Sequence, residues 1–295
     1  ANKEKGNHII TSKIEHPAVL NTCRHLEREG FQITYLNVDA NGLIDLEQLS
    51  NSISYSTILI SIMFANNEIG TIQPIEMVSK IAHQNHIIFH TDAVQAIGNL
   101  KIDVKQLEID ALSMSGHKFY APKGVGALYV KNGINFTKLQ DGGHQENDKR
   151  AGTENVAEIV GLGKAIEEIN KNLEKYNNHL KELRDYFISE IEKKLPNAKL
   201  NGDREKRLPG NANFSFPNCN AQKLLLDLDA KGICASAGSA CSTGTTEPSH
   251  VLTAIGLSND MSAGTLRITF GKDNTKGDVD YLINCLQEMM NETHN

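Results

Sequence analysis

Short apolar runs alternate with amphipathic segments through the first half of the chain, and this alternation limits its fold more than any other feature. Six runs have the length and composition of β-strands, at residues 8–11, 32–36, 57–64, 86–90, 109–114 and 125–130. Continuous apolar runs of this kind are typical of strands buried on both faces of a parallel sheet. The stretches 17–29 and 74–84 between them repeat apolar residues at helical spacing. The sequence therefore predicts an α/β fold with a mostly parallel sheet covered by helices.

The pattern changes near Gly161, where charged residues and helix formers predict one long helix over residues 154–195. After it, strand-like and helix-like segments are mixed. Strands are predicted at 212–216, 233–235 and 266–270, and helices at 221–229, 249–255 and 276–291. We predict a large α/β domain over residues 1–170 and a smaller α+β domain over residues 171–295.

Charge and composition exclude several functions. The net charge is −6, from 30 basic and 36 acidic residues, whereas a nucleic-acid-binding surface needs a basic stripe, so we expect no direct nucleic-acid partner. No segment approaches the roughly 18 to 20 apolar residues that span a bilayer, and the start of the chain lacks the apolar core of a signal peptide. The five cysteines have no C-x-x-C spacing, so no metal site is predicted. We expect a cytoplasmic protein with reduced thiols and no membrane partner.

Polar residues follow three successive predicted strands. They are Asn66-Asn67-Glu68, Thr91-Asp92-Ala93-Val94-Gln95 and Ser115-Gly116-His117-Lys118. Each group taken alone could be an ordinary helix N-cap. In open α/β sheets, however, ligands bind outside the carboxyl ends of the strands. Three such groups in succession therefore predict a ligand site at this edge of the sheet.

The residue types in these groups suit pyridoxal phosphate. The cofactor needs a lysine for a Schiff base with its aldehyde, an acid beside its pyridine nitrogen, and donors for its phosphate. Lys118 could supply the first, Asp92 the second, and Ser115 with His117 the third. The alternative for Lys118 is a solvated surface lysine, but its position directly after a buried strand favours the catalytic interpretation.

A second signal lies in the smaller predicted domain, where small and polar residues surround Cys241 over residues 236–246. A buried structural cysteine would have larger apolar neighbours. This composition indicates an accessible thiol on a tether that can move. An incidental surface cysteine is the alternative.

These motifs closely resemble the NifS/IscS class of cysteine desulfurases, within the class V aminotransferase group. The resemblance runs from residue 12 to residue 275. The matching stretches are TSKIEHPAVL, NNEIGTIQPI, FHTDAVQAIG, SMSGHKFYAPKGVGALYV, RAGTENV, SAGSACSTGTTEPSHVL and LRITFGKDNT. The resemblance implies fold type I of the pyridoxal-phosphate-dependent transferases and a homodimer with sites at its interface. The resemblance implies that residues 1–170 are the cofactor-binding domain, without an N-terminal part that the family carries. Residues 171–295 would then be the domain with the cysteine loop.

The resemblance also implies a role for each cofactor residue. Lys118 would hold the cofactor and move the substrate α-proton. Asp92 would pair with the pyridine nitrogen and Gln95 with the ring hydroxyl. Ser115 and His117 would hold the phosphate. Lys118 must be neutral to act as a base, which the cofactor adduct and partial burial would favour.

Five further residues take their roles from the same resemblance. His16 would stack on the cofactor ring and assist proton transfer, and Thr153 would reach the phosphate of the neighbouring subunit. Asn67 would contact the cofactor and, with Arg267, the substrate carboxylate, for which the arginine fork is suited. Cys241, as a thiolate, would attack the substrate sulfur.

The activity implied is conversion of L-cysteine to L-alanine and a Cys241 persulfide, with the sulfur passed to an acceptor protein such as an iron–sulfur scaffold or a tRNA thiolation enzyme. Two alternatives remain open at this point. Another class V aminotransferase or a selenocysteine lyase would use Lys118, Asp92 and Arg267 equally well, although transamination needs no thiol. A truncated, inactive sulfur-carrier or assembly module is the non-enzymatic alternative.

Overall fold

The chain forms two compact units in the computed structural model, which describes residues 1–238 and 248–293. The first unit comprises Ala1–Leu36, Leu46–Phe64 and Pro74–Leu173. The second comprises Asn37–Asp45, Ala65–Gln73 and Glu174–Asn295. Two short segments from the first half of the sequence thus belong to the second unit, whereas the predicted large domain ran continuously from residue 1 to 170.

A six-stranded sheet forms the centre of the first unit. Its strands are β1 (His8–Ser12), β2 (Gln32–Leu36), β3 (Thr57–Ser61), β4 (Ile88–Asp92), β5 (Ala111–Ser115) and β6 (Gly126–Val130). Their order is β2-β1-β3-β4-β5-β6. The first five are parallel, and β6 pairs antiparallel to β5. The predicted α/β fold with a mostly parallel sheet is confirmed.

Helices follow the strands, three of them at the predicted stretches 17–29, 74–84 and 154–195. They are α1 (Pro17–Arg28), α2 (Leu46–Ser52), α3 (Ile75–Gln84), the short α4 (Gln145–Asp148) and α5 (Val156–Lys194), and a 3-10 helix spans Gly116–Phe119. Helix α1 shows why its bounds lie where they do. Pro17 occupies the first turn, where its missing N–H leaves no bond unmade. Gly30 follows the end of the helix with a φ of +91°, a conformation that favours glycine.

The second unit contains a small antiparallel sheet with the order β7-β8-β9. Its elements are β7 (Lys199–Leu200), β8 (Asn211–Ser215), β9 (Thr265–Thr269), α6 (Ala221–Ala230), α7 (His250–Ala254), α8 (Asn259–Ala263) and α9 (Lys276–Thr293). An aromatic cluster lies in its core, where the Phe187 ring packs edge-on against Phe214 and Phe270, with centroids 5.9 and 5.7 Å away. Buried aromatic pairs of this geometry add to the free energy of burial.

One strand prediction in this unit is wrong. Residues 233–235 form no strand, and the chain there makes only a single bridge between Ser236 and Arg267. Gly232, with a φ of +76°, ends the turn after α6 directly before this segment, so the chain first pairs with β9 at Ser236. The predicted long helix is confirmed as α5, and it continues from the first unit into the second. Within the described residues, none of the helices has the length and apolar character needed to cross a membrane.

Candidate active site

The carboxyl ends of β3, β4 and β5 lie side by side in the first unit, because these strands are parallel neighbours. Asp92, the last residue of β4, is opposite Ser113 in β5, and Ser115 ends that strand two residues later. Strand β1, which leads into His16 and α1, is the parallel neighbour of β3 on the other side. The fold therefore brings Asp92, Ser115 and the residues that directly follow them to one edge of one sheet.

Asp92 is buried, with 9 % of its surface exposed. Its Oδ1 atom accepts a hydrogen bond from the Val94 backbone N–H at 3.0 Å, which fixes the carboxylate at the turn after β4. A buried carboxylate can hold a protonated ring nitrogen far more strongly than an exposed one, because less water screens the pair. Its position fits the role predicted for it.

His90 lies two residues before Asp92 and was not singled out from the sequence. Its ring links two strands: Nδ1 lies 2.8 Å from Ser61 Oγ and Nε2 lies 2.9 Å from Ser113 Oγ. Desolvation lowers the pKa of His90, opposed by the charge of Asp92. A neutral imidazole therefore joins β3, β4 and β5 beside the acid. Histidines inside strands are common core residues, so the sequence offered no distinguishing signal.

Ser115, His117 and Lys118 lie at the start of the 3-10 helix after β5. The Ser115 Oγ and His117 Nδ1 atoms are 2.8 Å apart. Desolvation lowers the pKa of His117, and the cations of Lys118 and Lys123 add to this shift. Ser115 and His117 therefore form a neutral polar pair of the kind that donates hydrogen bonds to a phosphate.

Lys118 itself is exposed, whereas partial burial was expected. It makes no side-chain hydrogen bond or ion pair with any residue that the structure describes. The turn that carries it is tight: a Cβ added at Gly116 would lie 3.0 Å from both Ala121 Cβ and Leu162 Cδ1. The amine is thus held on a rigid turn and has no competing partner within the described chain.

His16 is the N-cap of α1, and its Nδ1 atom accepts a hydrogen bond from the Ala18 backbone N–H at 3.1 Å. In the neutral ring the proton must therefore be on Nε2. The half-buried imidazole is fixed in one tautomer by the backbone of its own helix.

Glu15, directly before His16, was missed by the sequence analysis although its side chain is fully buried. Its Oε1 atom accepts hydrogen bonds from Ser12 Oγ at 2.7 Å and from the Met63 backbone N–H at 2.9 Å. Burial raises the pKa of Glu15 to about 8, since the hydrogen bonds oppose the desolvation only in part. Glu15 therefore ties the end of β1 to the segment after β3 in its protonated form at neutral pH.

Two further predicted residues also belong to the first unit. Gln95 is half-buried, three residues after Asp92, and its backbone oxygen accepts a hydrogen bond from Asn99 Nδ2 at 3.0 Å. Thr153 is exposed in the segment between α4 and α5. Neither side chain makes a hydrogen bond to the described residues, so both can take part in other contacts.

Asn67 and Arg267 belong to the second unit. Asn67 lies on a tight turn, in which Asn66 Oδ1 accepts hydrogen bonds from the backbone N–H groups of Glu68 and Ile69 at 2.9 and 3.0 Å. Arg267 lies in β9, opposite Asn213 in β8. Its Nη1 atom donates a hydrogen bond to the Asn67 backbone oxygen at 3.0 Å. The two predicted substrate residues are therefore in direct contact.

Cys241, the predicted sulfur acceptor, lies outside the described residues. Of the described cysteines, Cys23 and Cys285 are buried, Cys219 is half-buried and Cys234 is exposed. Burial, with the charges of Glu15 and Glu27 adding to it, raises the pKa of Cys23 to about 11, which makes that thiol unreactive.

The first unit satisfies the chemical demands of pyridoxal phosphate. Three kinds of group lie at the ends of two adjacent parallel strands. They are an amine with no hydrogen-bonding partner among the described residues, a buried carboxylate and a neutral serine–histidine pair. The cofactor needs these three kinds of group. No cluster of three or more metal-ligating side chains is found among the described residues.

Comparisons with known proteins agree with this chemistry. Residues 1–282 match the family model for aminotransferase class-V. A cysteine desulfurase IscS of Clostridium botulinum (strain Hall) is 53 % identical over 99 % of this chain and 74 % of its own length. The IscS of Methanosarcina thermophila is 52 % identical over 100 % of this chain and 73 % of its own.

Solved structures give the same result. A NifS-like protein superposes with a TM-score of 0.91 at 37 % identity, covering 98 % of this chain and 76 % of its own. A NifS-like protein of Rickettsia africae superposes with a TM-score of 0.87 at 32 % identity, covering 97 % of this chain and 76 % of its own. The fold type expected from the resemblance is confirmed. The chain belongs to the class V aminotransferase family and, within it, to the cysteine desulfurases of the NifS/IscS class.

Proposed function

We propose that this chain removes sulfur from L-cysteine with pyridoxal phosphate held on Lys118, and that the products are L-alanine and a persulfide on Cys241. One observation carries the proposal. Lys118, without a partner among the described residues, lies on the turn after β5, and the buried Asp92 ends the neighbouring parallel strand. Membership of the cysteine desulfurase family supports the choice of substrate.

The cofactor residues divide the work by their chemistry. Bound pyridoxal phosphate supplies an electron sink that weakens the bonds at the substrate α-carbon. Lys118 Nζ attaches the group and moves the proton of that carbon. Asp92 holds the pyridine nitrogen, Gln95 the ring hydroxyl, and Ser115 with His117 the phosphate. These five side chains hold and orient the cofactor.

The remaining roles concern the substrate and its protons. Arg267 and Asn67 bind the substrate carboxylate, with the guanidinium making two parallel hydrogen bonds. His16 stacks on the cofactor ring and handles protons through Nε2, since its Nδ1 is occupied by the Ala18 N–H. Thr153 reaches the phosphate of a second subunit.

The electrons of the sulfur transfer balance without any external oxidant. The Cys241 thiolate attacks the sulfur of the substrate, so an S–S bond forms and the C–S bond breaks. The electron pair of the broken bond stays on carbon, which takes up a proton and becomes the methyl group of alanine. The enzyme keeps the sulfur as a persulfide.

We also propose a homodimer, a cytoplasmic location and transfer of the persulfide sulfur to an iron–sulfur scaffold or a tRNA thiolation enzyme. Exposed apolar side chains in the first unit support a partner surface there; they are Tyr120, Leu128, Val156 and Val160. Residues 1–170 would bind the cofactor, and residues 171–295 would carry the cysteine loop.

The test uses Cys241→Ala with Cys234→Ala as the matched control, since Cys234 is the exposed cysteine of the described chain. The Cys241 variant should bind the cofactor normally but form neither alanine nor sulfide from cysteine. The Cys234 variant should behave as the wild type. Alanine formation by Cys241→Ala at the wild-type rate would show that the thiol is incidental, as it would be in an aminotransferase.

A further inference from the structure

Glu68 lies where the two ends of the Cys241 segment meet. Residues 239–247, which include Cys241, separate Gly238 from Pro248 and Ser249. Ser249 Oγ donates a hydrogen bond to Glu68 Oε2 at 2.6 Å. A Cβ added at Gly238 would lie 3.2 Å from the same oxygen and 3.5 Å from Ser249 Cβ. One side chain, only 1 % exposed, therefore bonds to the residue at one end of the segment and lies beside the residue at the other end.

Glu68 is itself fixed by buried contacts. Its backbone oxygen accepts hydrogen bonds from Asn211 Nδ2 at 3.2 Å and from Asn213 Nδ2 at 3.1 Å, both on β8. Its backbone N–H donates to Asn66 Oδ1 at 2.9 Å. Buried amide groups that are satisfied in this way hold a backbone in one position. Glu68 is thus a stable attachment point.

The same attachment includes the predicted substrate arginine. The backbones of Ser236 and Arg267 exchange two hydrogen bonds, at 2.6 and 3.3 Å. The Arg267 side chain donates in turn to the oxygen of Asn67, the residue before Glu68. The start of the Cys241 segment, its end, Asn67 and Arg267 are consequently joined within one unit of the chain.

Covalent geometry makes the position of these ends important for Cys241. Cys241 follows Gly238 by three residues, so its Cα can lie at most about 11 Å from that of Gly238. A shift of the attachment moves the whole volume that the thiol can reach. A misplacement of about 1 Å in a reacting group can reduce a rate about 100-fold.

We propose that Glu68 is a positioning residue for sulfur transfer, which holds both ends of the Cys241 segment at a fixed place relative to Arg267 and Asn67. The inference depends on the proposed role of Cys241 as sulfur acceptor. Glu68 does not touch the reacting atoms in this proposal. Its effect reaches the reaction through Gly238 and Ser249.

A merely structural role for Glu68 would give a different result. Ser249 Oγ also accepts hydrogen bonds from the Val251 and Leu252 N–H groups and so caps α7. Loss of a cap lowers the free energy of unfolding without separating one catalytic step from another. A positioning role instead leaves cofactor and cysteine binding unchanged and slows the transfer of sulfur.

Four variants separate these roles. Glu68→Ala removes the Ser249 hydrogen bond and the side chain that lies beside Gly238, and Glu68→Gln keeps an oxygen that can accept from Ser249. Ser249→Ala removes the Glu68 contact together with a helix cap. Ser258→Ala is its matched control, because Ser258 caps α8 through the Met261 N–H. Each variant is loaded with pyridoxal phosphate and assayed for the spectral change on adding cysteine and for alanine formation.

We expect Glu68→Ala and Ser249→Ala to show the spectral change at the same cysteine concentration as the wild type. Their kcat for alanine formation should be about 100-fold lower. Glu68→Gln and Ser258→Ala should stay within about threefold of the wild type. If Glu68→Ala does not fold, the kcat of Ser249→Ala compared with that of Ser258→Ala distinguishes a positioning role from a structural one.

Two results would overturn the inference. The first is a wild-type kcat in Ser249→Ala or in a folded Glu68→Ala. The second is that these variants lose cysteine binding and rate to the same extent. In both cases Cys241→Ala, measured beside them, still reports on the proposed function. If the wild type itself formed no alanine, the proposed function would fail and this inference with it.

Discussion

The sheet edge of the first unit and the Asn66–Glu68 turn of the second hold their functional groups in different ways. At the sheet edge the hydrogen bonds of the predicted cofactor residues are local: Ser115 contacts His117 at 2.8 Å and Asp92 accepts from Val94 at 3.0 Å, each two residues away. At the turn the hydrogen bonds join residues that are far apart in the sequence. Asn213 reaches Glu68 across 145 positions of sequence, and Arg267 reaches Asn67 across 200.

Because of this difference, substitutions in the two regions should affect different properties. Lys118 and His117 are exposed on a short turn, so their replacement removes function and leaves the core intact. Asn213 and Glu68 are buried within a polar network, where loss of one partner leaves another group unsatisfied. Four substitutions test this difference between the two regions.

The largest effect should come from Lys118→Ala. Without the amine the cofactor has no covalent attachment, so we expect the yellow Schiff-base band to vanish and alanine formation to fall by at least about 1,000-fold. The free energy of unfolding should change by less than about 0.5 kcal/mol, because the side chain is exposed. An unaltered absorption spectrum would show that another lysine holds the cofactor.

Arg267→Lys should have the next largest effect. Lysine cannot make the two parallel hydrogen bonds of a guanidinium to a carboxylate, so kcat/KM for cysteine should fall about 100-fold, or about 2.7 kcal/mol. The matched control is Arg204→Lys, an exposed arginine of the same unit that pairs with Glu192. Equal kinetics in the two variants would remove Arg267 from the substrate site.

Asn213→Ala tests the buried side of the comparison. Its amide donates to the Glu68 oxygen and its Oδ1 accepts from Asn201 at 2.8 Å, so we expect a loss of about 2 kcal/mol in urea unfolding. Ser115→Ala should change that free energy by less than about 0.5 kcal/mol and should weaken cofactor binding instead. The comparison breaks down if the two variants are equally destabilised.

Glu15→Gln should give an effect that depends on pH and is smallest near pH 5. Because burial raises the pKa of Glu15 to about 8 from 4.5, the stability it contributes is fully present below pH 4.5 and is lost as the pH rises toward 8. Glutamine keeps the oxygen that accepts from Ser12 and Met63 but does not titrate. Between these pH values the variant should gain about 1 kcal/mol per pH unit relative to the wild type. A constant difference from pH 5 to pH 8 would mean that Glu15 is ionised.

The sequence predicted the sheet and the local site because both depend on neighbouring residues. All six strands of the first unit were found as short apolar runs, and α5 was found from its charged residues and helix formers. The groups around Asp92, Ser115 and Lys118 were found because functional side chains follow strands at predictable positions. The same strand-end reasoning included Glu68, but without indicating what it contacts.

The residues that the sequence analysis missed owe their burial and contacts to the tertiary structure. Glu15 looks like a surface glutamate in the sequence, and only the fold buries it between β1 and the segment after β3. His90 bridges two serines that lie 29 and 23 residues away. The grouping of residues 37–45 and 65–73 with the second unit similarly depends on pairings over long distances, which no local pattern reveals.

The most direct test of the account is a single turnover with sulfur-labelled cysteine, followed by peptide mapping under non-reducing conditions. We predict one labelled sulfur on the peptide that contains Cys241 for each alanine formed, released by a thiol reductant. Alanine formed without label on that peptide, or label on the peptide of the exposed Cys234, would contradict it.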